Sequence, residues 1–583
     1  MGKLYPFVLK LIPAKLSSRL LFVLCLLMTG LFVTPAQAQD LSNLTNLKPI
    51  QFSGTLDAGT ILYTADGIAD RRQPFSYLLN GDAALTIYGV AIPFAVSYTE
   101  TQNSYSQPFN QFGISPTYKW ITLHLGYQNV EFSPYTLAGH TILGAGIELN
   151  PGKLRFGFMY GRLNKATALD TLTGALAPYS FSRKAYAAKL GYGTARNFFE
   201  FSYLQAKDDS SSVPKSEIPA ADYIAPASNT VFGYESKFSF GKHIFFENTG
   251  AISIYTTDIN STVKIDSLLK SPFLQKFASL LQLNGTSSYS TAVNSNLGYL
   301  GKNFGLKIEY QRIDPNFQSM GAYFLNSDLE SWTFDPNFSL FKNKVRMSGS
   351  VGFQHDNLLK QKESTTHRFI SAGSASIDIT KSLAFEANYS NFSNNQQPSS
   401  VRFPDSLRIV ETTQSITLMP RYTIIGPNAI QSIGLSFAIN QLNDYNQIIT
   451  SNSTTSRTVD TKQYFLTYFI NFPKRNFGLF ANINRTALTS PTFNSTYQGV
   501  TVGGNANLLK NKLQLSLNSS VTQGTVAAGK SYIITATGTV GYKIFKHQII
   551  KTGLYFNNNQ PDPGTVQPEY SEYRVEIHYL FNF

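Results

Sequence analysis

The chain ends on the stretch Tyr570-Ser-Glu-Tyr-Arg-Val-Glu-Ile-His-Tyr-Leu-Phe-Asn-Phe583, in which apolar and polar residues alternate. Successive side chains of a β-strand point to opposite faces, so this alternation predicts a strand with one apolar and one polar face. The apolar row consists of Tyr573, Val575, Ile577, Tyr579, Phe581 and Phe583. The polar row carries Arg574, Glu576, His578 and Asn582. An edge strand of a soluble sandwich and a strand that faces lipid both show this pattern.

Tight turns recur at every second strand when the chain is followed backwards from Phe583. They lie at 545–547, 509–512, 473–475, 426–428, 380–382, 341–344, 301–303, 241–243, 193–196 and 150–153. Longer polar stretches rich in Asn, Ser, Pro and Asp separate them, for example 391–405 and 445–458. Segments of about ten alternating residues, with short turns at one end and long loops at the other, are typical of transmembrane β-barrels.

The strands beside these turns each have one apolar and one polar row. In one of them Phe304, Leu306 and Ile308 oppose Lys307 and Glu309. We expect the apolar rows to face lipid and the polar rows to face a water-filled interior. The charged residues expected to line this lumen are Arg155, Lys307, Glu309, Arg346, Glu386, Arg574 and Glu576.

The sequence therefore predicts an all-β fold, a single transmembrane antiparallel β-barrel of about 26 strands, with about 24 as the alternative count. The barrel is expected over residues 51–583. Within its first part, 83–99 is predicted to be one strand bent near Gly89 or Pro93, and 107–116 a short strand. Charged and aromatic residues each make up 14% of the chain, which is too few charges for the surface of several soluble domains.

An exported soluble sandwich or β-repeat array is the competing fold. Such an array is expected to have turns of mixed length and a repeat in sequence as well as in rhythm, and the chain shows neither.

Residues 1–38 have the pattern of a secretory signal peptide, and residues 39–50 are expected to form an N-terminal tail. Four cations, the last of them Arg19, precede an apolar run at 20–33, and Ala36-Gln-Ala38 supplies the small residues of a cleavage site. The single cysteine, Cys25, lies in this segment, and Leu24 before it is too large for a lipoprotein site. The rest of the chain therefore has neither disulfides nor thiolate chemistry.

The terminal row, Tyr573 to Phe583, resembles the closing strand of bacterial outer-membrane β-barrels, which implies recognition by the barrel assembly machinery. The stretches 88–94, 107–113, 115–120 and 132–140 resemble a group of large, mostly uncharacterised outer-membrane proteins of Bacteroidota. The resemblance implies a location in the outer membrane and no catalytic residues. The formal net charge of +13 favours anionic solutes or contact with outer-membrane lipid and lipopolysaccharide.

Several motifs resemble catalytic or cofactor sites without supporting one. Gly524 to Ser531 matches the P-loop pattern, but the sequence after it continues as strand, and a P-loop needs a helix there. His355-Asp-Asn357 and Asp208-Asp209 lie in stretches interpreted as solvated polar loops. No Ser-based catalytic motif or metal-ligand spacing accompanies them. We therefore predict no enzyme activity, no cofactor, no metal and no nucleic-acid partner.

One segment of a long loop, 271–283 within 258–285, predicts a short amphipathic helix. Its apolar face consists of Phe273, Leu274, Phe277, Leu280 and Leu281. Such a helix packs over the barrel rim, constricts the pore, lies on the outer leaflet or docks a partner, and the pattern leaves these alternatives open.

Three Asp-Ser/Thr-Leu triplets resemble the sites at which Bacteroidota O-glycosylate exported proteins. The modified residues would be Thr171, Ser267 and Ser406, all in expected outer loops.

The leading functional hypothesis is a porin-like channel that transports solutes across the outer membrane. A TonB-type transporter is disfavoured because strand-like sequence begins near residue 51 and leaves no room for a plug domain, unless a partner protein supplies the plug. The alternative is a scaffold barrel that docks a partner protein or surface machinery through its outer loops.

Overall fold

The protein forms one antiparallel β-sheet that closes on itself, as a computed structural model shows. The structure describes residues 50–87, 90–99, 111–167, 179–213, 224–263, 281, 283–322, 326–398, 410–444, 457–527, 529–565 and 567–583. Apart from residues 50, 51 and 87, these belong to one compact unit. Among the described residues no helix is long and apolar enough to cross a membrane.

The first part of the barrel contains β1 to β6. Their bounds are β1 Ile50–Asp66, β2 Phe75–Ile87, β3 Val90–Thr99, β4 Gln111–Ile114, β5 Thr117–Tyr118 and β6 Ile121–Asn129. The prediction of a single bent strand at 83–99 is wrong, because this segment contains the end of β2 and all of β3. The short segments β4 and β5 both pair with β3 and with β6, so they occupy one position in the sheet.

The second part contains β7 to β14, in which tight turns alternate with longer loops. These strands are β7 Thr141–Leu149, β8 Leu154–Asn164, β9 Ser182–Gly193, β10 Phe198–Asp209, β11 Ser228–Phe240, β12 Ile244–Thr256, β13 Ser287–Leu300 and β14 Phe304–Ile313.

The third part consists of β15 to β27. These strands are β15 Leu329–Leu340, β16 Val345–His355, β17 Ser364–Asp378, β18 Leu383–Pro398, β19 Val410–Ile425, β20 Ile430–Asp444, β21 Arg457–Phe472, β22 Phe477–Thr489, β23 Asn494–Leu508, β24 Leu513–Val526, β25 Gly529–Phe545, β26 Gln548–Pro561 and β27 Tyr570–Asn582. Every tight turn identified in the sequence separates two neighbouring strands at the same end of the sheet.

The first and last strands close the barrel. β1 pairs with β27 from Thr55↔Asn582 to Asp66↔Ser571, and the ring of Phe52 stacks on that of Phe583 at 4.2 Å between centroids. With β4 and β5 counted once, the ring has 26 strands, which confirms the predicted antiparallel barrel and its strand number.

The tight turns at 341–344 and 509–512 have the same backbone conformation. Phe341, Lys342 and Asn343 have φ of 52°, 57° and 66°, and Leu509, Lys510 and Asn511 have φ of 51°, 56° and 67°. Asn tolerates this left-handed region best among residues with a side chain, so it suits the last of the three positions.

Residues that pair across an antiparallel ladder share a face of the sheet. When the register is followed from strand to strand, Tyr573, Val575, Ile577, Tyr579 and Phe581 fall on the same face as the apolar rows of all the other strands. The charged residues singled out in the sequence, Arg155, Lys307, Glu309, Arg346, Glu386, Arg574 and Glu576, all fall on the opposite face. Their lining of a solute path stays a prediction.

Candidate functional site: the inner wall and two inward loops

Two loops cover part of the charged face. They are residues 131–140, between β6 and β7, and residues 314–322, between β14 and β15, and we call them the inner loops. The ring of Phe132 lies against Gly157 of β8, while the hydroxyl of Tyr135 accepts a hydrogen bond from Gln311 of β14 (3.4 Å). Those strands are six positions apart, or about 29 Å along a flat sheet. A segment this short reaches both only on the concave side, so the charged face is the inner face of the barrel.

The inner loops also contact each other. Ala138 donates its backbone N–H to the carbonyl of Gly321 (3.0 Å), and the Ser319 hydroxyl donates to the carbonyl of Thr136 (2.7 Å). The structure thus places 131–140 and 314–322 inside the barrel. The 271–283 segment, for which constriction of the pore was one alternative, lies outside the described residues except for 281 and 283.

Small residues on the inner face of β7–β13 make room for these loops. A Cβ added at Gly157 would lie 2.8 Å from the Phe132 ring, and one added at Gly233 would lie 2.8 Å from the Thr136 methyl group. The neighbouring inner positions Ala185, Ala187, Ala206, Ala251 and Ala292 are all buried. We call this part of the barrel, with its loops, the loop-filled wall.

An apolar cluster holds the inner loops in place. Leu137 is fully buried and Phe317 is 1% exposed, and both pack in one cluster with Ile142, Met159 and Leu204 of the wall. Tyr135 meets Phe317 edge to face at 5.8 Å. Burial of side chains of this size contributes about 1.5–3 kcal/mol each, so the cluster fixes the loops firmly.

Two buried polar side chains of the wall bind the loop backbone. Asn229 of β11 accepts the N–H of Met320 (2.9 Å) and donates to Ser253 of β12 (2.8 Å). Ser253 in turn donates to the carbonyl of Gln318 (2.5 Å). Buried backbone groups need hydrogen-bond partners, so these contacts avoid the cost of leaving the N–H of Met320 and the carbonyl of Gln318 unsatisfied inside the barrel.

Several charged groups of the loop-filled wall are paired. Arg155 contacts Glu200, and Glu148 contacts both Lys189 (3.2 Å) and His124 (3.2 Å). Glu235, the register partner of Glu200 on β11, adds an acidic group to the same face.

Asp208 is also part of the loop-filled wall, which corrects its assignment to a solvated loop. It lies in β10, is 5% exposed, and accepts two hydrogen bonds from Arg183, of 2.7 and 3.2 Å. A third comes from the backbone N–H of Ala227 (3.0 Å). Strand β10 continues further than the polar sequence suggested because this carboxylate is satisfied within the wall.

His140 ends the first inner loop and is 2% exposed. Its Nδ1 lies 3.2 Å from the carbonyl of Thr141. Burial lowers the pKa of His140 to about 4, and the nearby charge of Arg183 acts in the same direction, although the hydrogen bond to Thr141 opposes them. The imidazole is therefore neutral at pH 7 while the loop is seated.

The inner face of β20–β24 is different, and we call it the polar wall. In register, its inner row consists mainly of Ser, Thr, Asn and Gln, with Phe465, Phe469 and Phe480 between them. The charged residues that fall on this row are Asp444 and Arg457, which are register partners at the strand ends. Its polar members include Ser432, Ser436, Asn440, Thr461, Gln463, Thr467, Asn471, Asn482, Asn484, Thr486, Ser495, Thr501, Asn505, Asn507, Gln514, Ser516, Asn518, Ser520 and Thr522. Of the described residues after Leu329, none with an apolar side chain is buried.

All seven predicted lumen charges lie outside the polar wall, and among the described residues all but Glu386 have partners of opposite sign. Lys307 binds Glu309 (2.8 Å) and Asp335 (3.2 Å), and Arg574 binds Glu576 (3.1 Å). Arg346 lies 3.4 Å from Asp378. The structure brings the predicted residues together as ion pairs rather than as a single cationic or anionic path.

The motifs resembling catalytic sites have structural explanations. Gly524 and Ser531 lie on the hairpin of β24 and β25, where a P-loop helix would have to begin. His355 ends β16, Asp356 accepts the N–H of Thr366 (2.7 Å), and Asn357 accepts that of Lys362 (2.9 Å). In the described part of the chain, no group of three His, Cys, Asp or Glu side chains is arranged to hold a metal ion.

Some predictions fall outside the described residues. These are the signal peptide and tail up to residue 49, the glycosylation sites Thr171, Ser267 and Ser406, and Phe273, Leu274, Phe277 and Leu280 of the predicted helix. Leu281 is described, and its side chain is buried at 8% exposure.

The sequence matches no protein-family model and no curated protein. Among solved structures, the P pilus usher (PapC) translocation pore aligns with 92% of this chain and 99% of its own, at 9% identity and a TM-score of 0.35. OccAB4 of Acinetobacter baumannii aligns with 69% of this chain and 98% of its own, at 10% identity and a TM-score of 0.28. OccK8 (OprE) of Pseudomonas aeruginosa aligns with 69% and 98%, at 9% identity and a TM-score of 0.30.

Proposed function

We propose that this protein is a porin-like channel of the bacterial outer membrane that passes small polar solutes. The observation that carries the proposal is the division of the 26-strand ring into an outer face of apolar and aromatic side chains and an inner face of ion pairs, hydroxyls and amides. A barrel of this size encloses a space wide enough for water and solutes unless other segments fill it.

The pairing of inner charges favours weak charge selectivity. Lys307 with Glu309 and Arg574 with Glu576 cancel each other locally. The polar wall adds hydrogen-bonding groups without charge. A path lined in this way suits neutral or zwitterionic solutes and small ions of either sign, in preference to one strongly charged class.

Purified protein in planar bilayers and in liposomes tests the proposal. We expect discrete ion conductance with a cation-to-anion permeability ratio near one, and swelling of liposomes in small sugars. Folded protein, identified by its heat-dependent mobility on gels, that gives neither conductance nor swelling would overturn the channel and favour the scaffold barrel.

The terminal strand supports the same location. The apolar row that ends in Phe583 is the kind of segment the barrel assembly machinery recognises, and the Phe583 ring also stacks on Phe52 at the seam. Replacing Phe581 and Phe583 by Ala is expected to lower the amount of folded protein in the outer membrane. An unchanged amount would contradict assembly through this strand.

A further inference from the structure

The outer face of the barrel carries two neighbouring apolar depressions behind the polar wall, which we together call the groove. Its upper part is a cavity of about 620 Å³ whose apolar lining includes Leu435, Phe437, Leu466, Ile483, Val500 and Val521. Directly below, a second cavity of about 650 Å³ lies over Leu479, Ala481, Val502 and Leu517. The small side chains of Ala481 and Gly504 make the indentation. In a membrane this groove faces hydrocarbon.

A row of polar side chains closes the upper end of the groove. Tyr464, Arg485, Gln498, Gln523 and Tyr532 are consecutive partners across five neighbouring strands. Gln498 Nε2 donates to Gln523 Oε1 (2.9 Å), and Gln523 Nε2 donates to the Tyr532 hydroxyl (2.9 Å). Further N–H and O–H groups of this row remain available to a ligand.

Arg485 is the charged member of the row, and it is exposed. Among the described residues it has no hydrogen-bond or ion-pair partner. Arg312, on the same outer face, is different: its guanidinium lies 3.6 Å from Glu330 and 3.5 Å from Asp314. An unpaired cation on a face that contacts lipid is costly unless an anion of the membrane neutralises it.

The position of Arg485 along its strand places it near a membrane interface. The stacked rings of Phe472 and Phe477 mark the end with the short turns. Arg485 lies eight residues further along β22, or about 20 Å along the membrane normal for a strand with the usual tilt. The apolar band of such barrels is about 25 Å tall, so the guanidinium reaches the headgroups at the end with the long loops.

We propose that this groove binds a phosphorylated, acylated lipid of the outer leaflet, of the lipid A class. Arg485 and the amides of Gln498 and Gln523 hold the phosphate, and the acyl chains lie along Leu466, Ile483 and Val500. Guanidinium groups bind phosphate through two parallel hydrogen bonds, which explains why an arginine stands at this point. Lys462, on the same outer face of β21, adds a second positive charge nearby, and Asp460 lies one step further outward.

Binding of lipid A to the purified protein in detergent micelles, followed by native mass spectrometry, tests the site. We expect Arg485→Gln to weaken binding of lipid A by about tenfold or more, since a charge-assisted hydrogen-bonded contact contributes about 1.5–3 kcal/mol. Lipid A stripped of its phosphates should bind wild type and Arg485→Gln equally weakly. Ala481→Leu, which fills the groove, should weaken binding of both lipids.

Arg312→Gln is the matched control, because it removes an equal charge from the same face at a site that already has acidic partners. It should bind lipid A as wild type does. All variants are compared as folded barrels by heat-dependent gel mobility. Equal lipid A affinity of wild type and Arg485→Gln, or equal losses in Arg485→Gln and Arg312→Gln, would overturn the proposal. Because lipid binding is measured independently of conductance, failure of the lipid-site proposal can be distinguished from failure of the channel proposal.

Discussion

The loop-filled wall and the polar wall belong to one sheet with one alternation, yet their inner faces are opposites. In the first, Gly and Ala lie beneath two loops, and apolar side chains such as Leu137 and Phe317 are completely covered. In the second, Ser, Thr, Asn and Gln predominate across β20–β24, and no apolar side chain of these strands is buried. The outer faces of both walls carry rows of apolar side chains.

The difference shows that the size of the inner-row residues depends on whether a loop or water contacts them. A loop needs close approach, so the wall beneath Phe132 and Thr136 has glycine. The inner row of the polar wall also contains glycines, such as Gly434 and Gly499, but most of its other members are Ser, Thr, Asn and Gln rather than Ala, because a wall that faces water needs hydrogen-bonding groups. The inner row therefore distinguishes a filled part of a barrel from a part that contacts water.

Removing one aromatic ring from each wall should affect the two walls very differently. Phe317→Ala should weaken seating of the inner loops by about 3–5 kcal/mol, because a buried aromatic is lost and a cavity remains. Hydrogen exchange should rise in both 131–140 and 314–322, since the loops pack on each other. Phe469→Ala, on the inner face of the polar wall where the ring is 37% exposed, should leave exchange nearly unchanged. Similar increases from both changes would contradict the distinction.

Lowering the pH should weaken seating of the inner loops in the loop-filled wall and leave the polar wall unchanged. The pKa of His140 is lowered to about 4 in the seated loop, so the unseated loop binds a proton more readily. Seating is therefore strongest above about pH 6.5 and weakens as the pH falls towards 4, by up to about 3 kcal/mol. Limited proteolysis within 131–140 should be faster at pH 5 than at pH 7. In His140→Gln the ratio of the cleavage rate at pH 5 to that at pH 7 should fall towards the ratio measured for a loop that contains no histidine. An unchanged, wild-type ratio would contradict the role of His140 in loop seating.

Replacing an inner-row glycine by Leu should have an intermediate effect on loop seating, which depends on the wall in which the glycine lies. Gly233→Leu collides with Thr136 and should weaken loop seating by about 1–3 kcal/mol, as overpacking does. Channel conductance should then increase, because the loops leave the lumen. Gly434→Leu, at an inner position of β20 with no atom within 4 Å of an added Cβ, should not increase it. Two equal conductance increases would mean that the inner loops do not limit the current.

The smallest effect concerns a contact outside both walls. Lys362 binds Asp328 and thereby ties the end of the β14–β15 loop to the β16–β17 loop. The pKa of Asp328 is lowered: burial alone would raise it, but the Lys362 ammonium and backbone N–H groups outweigh burial. Lys362→Gln should change seating of 314–322 by about 1 kcal/mol, because the ammonium is exposed and the backbone N–H groups of Leu358 and Asn357 still bind the buried Asp328 carboxylate. A larger change in hydrogen exchange would mean that the wall does not hold the loop.

The rhythm of turns and the alternation of strands predicted the barrel and its strand number, because both are local in sequence. The hairpin between β2 and β3 was missed since its connection, 88–89, is so short that the alternation continues through it. The inward loops depend on contacts between residues far apart, such as Ser319 with Thr136, which no local pattern contains. A usable signal was present in the inner row: Gly144, Gly146, Gly157 and Gly161, followed by Ala185 and Ala187, interrupt the polar residues expected there.

Single-cysteine labelling tests the comparison between the walls most directly. With Cys25 replaced by Ser, cysteines are placed in turn along β24 and at inner positions of β9, and the folded protein in liposomes is exposed to a membrane-impermeant thiol reagent. We expect labelling at Ser516, Asn518 and Ser520 but not at Leu515 or Leu517, and no labelling at Ala185 or Ala187 beneath the inner loops. Labelling at Ala185 and Ala187 as fast as at Asn518, or protection of the polar positions of β24, would contradict this expectation.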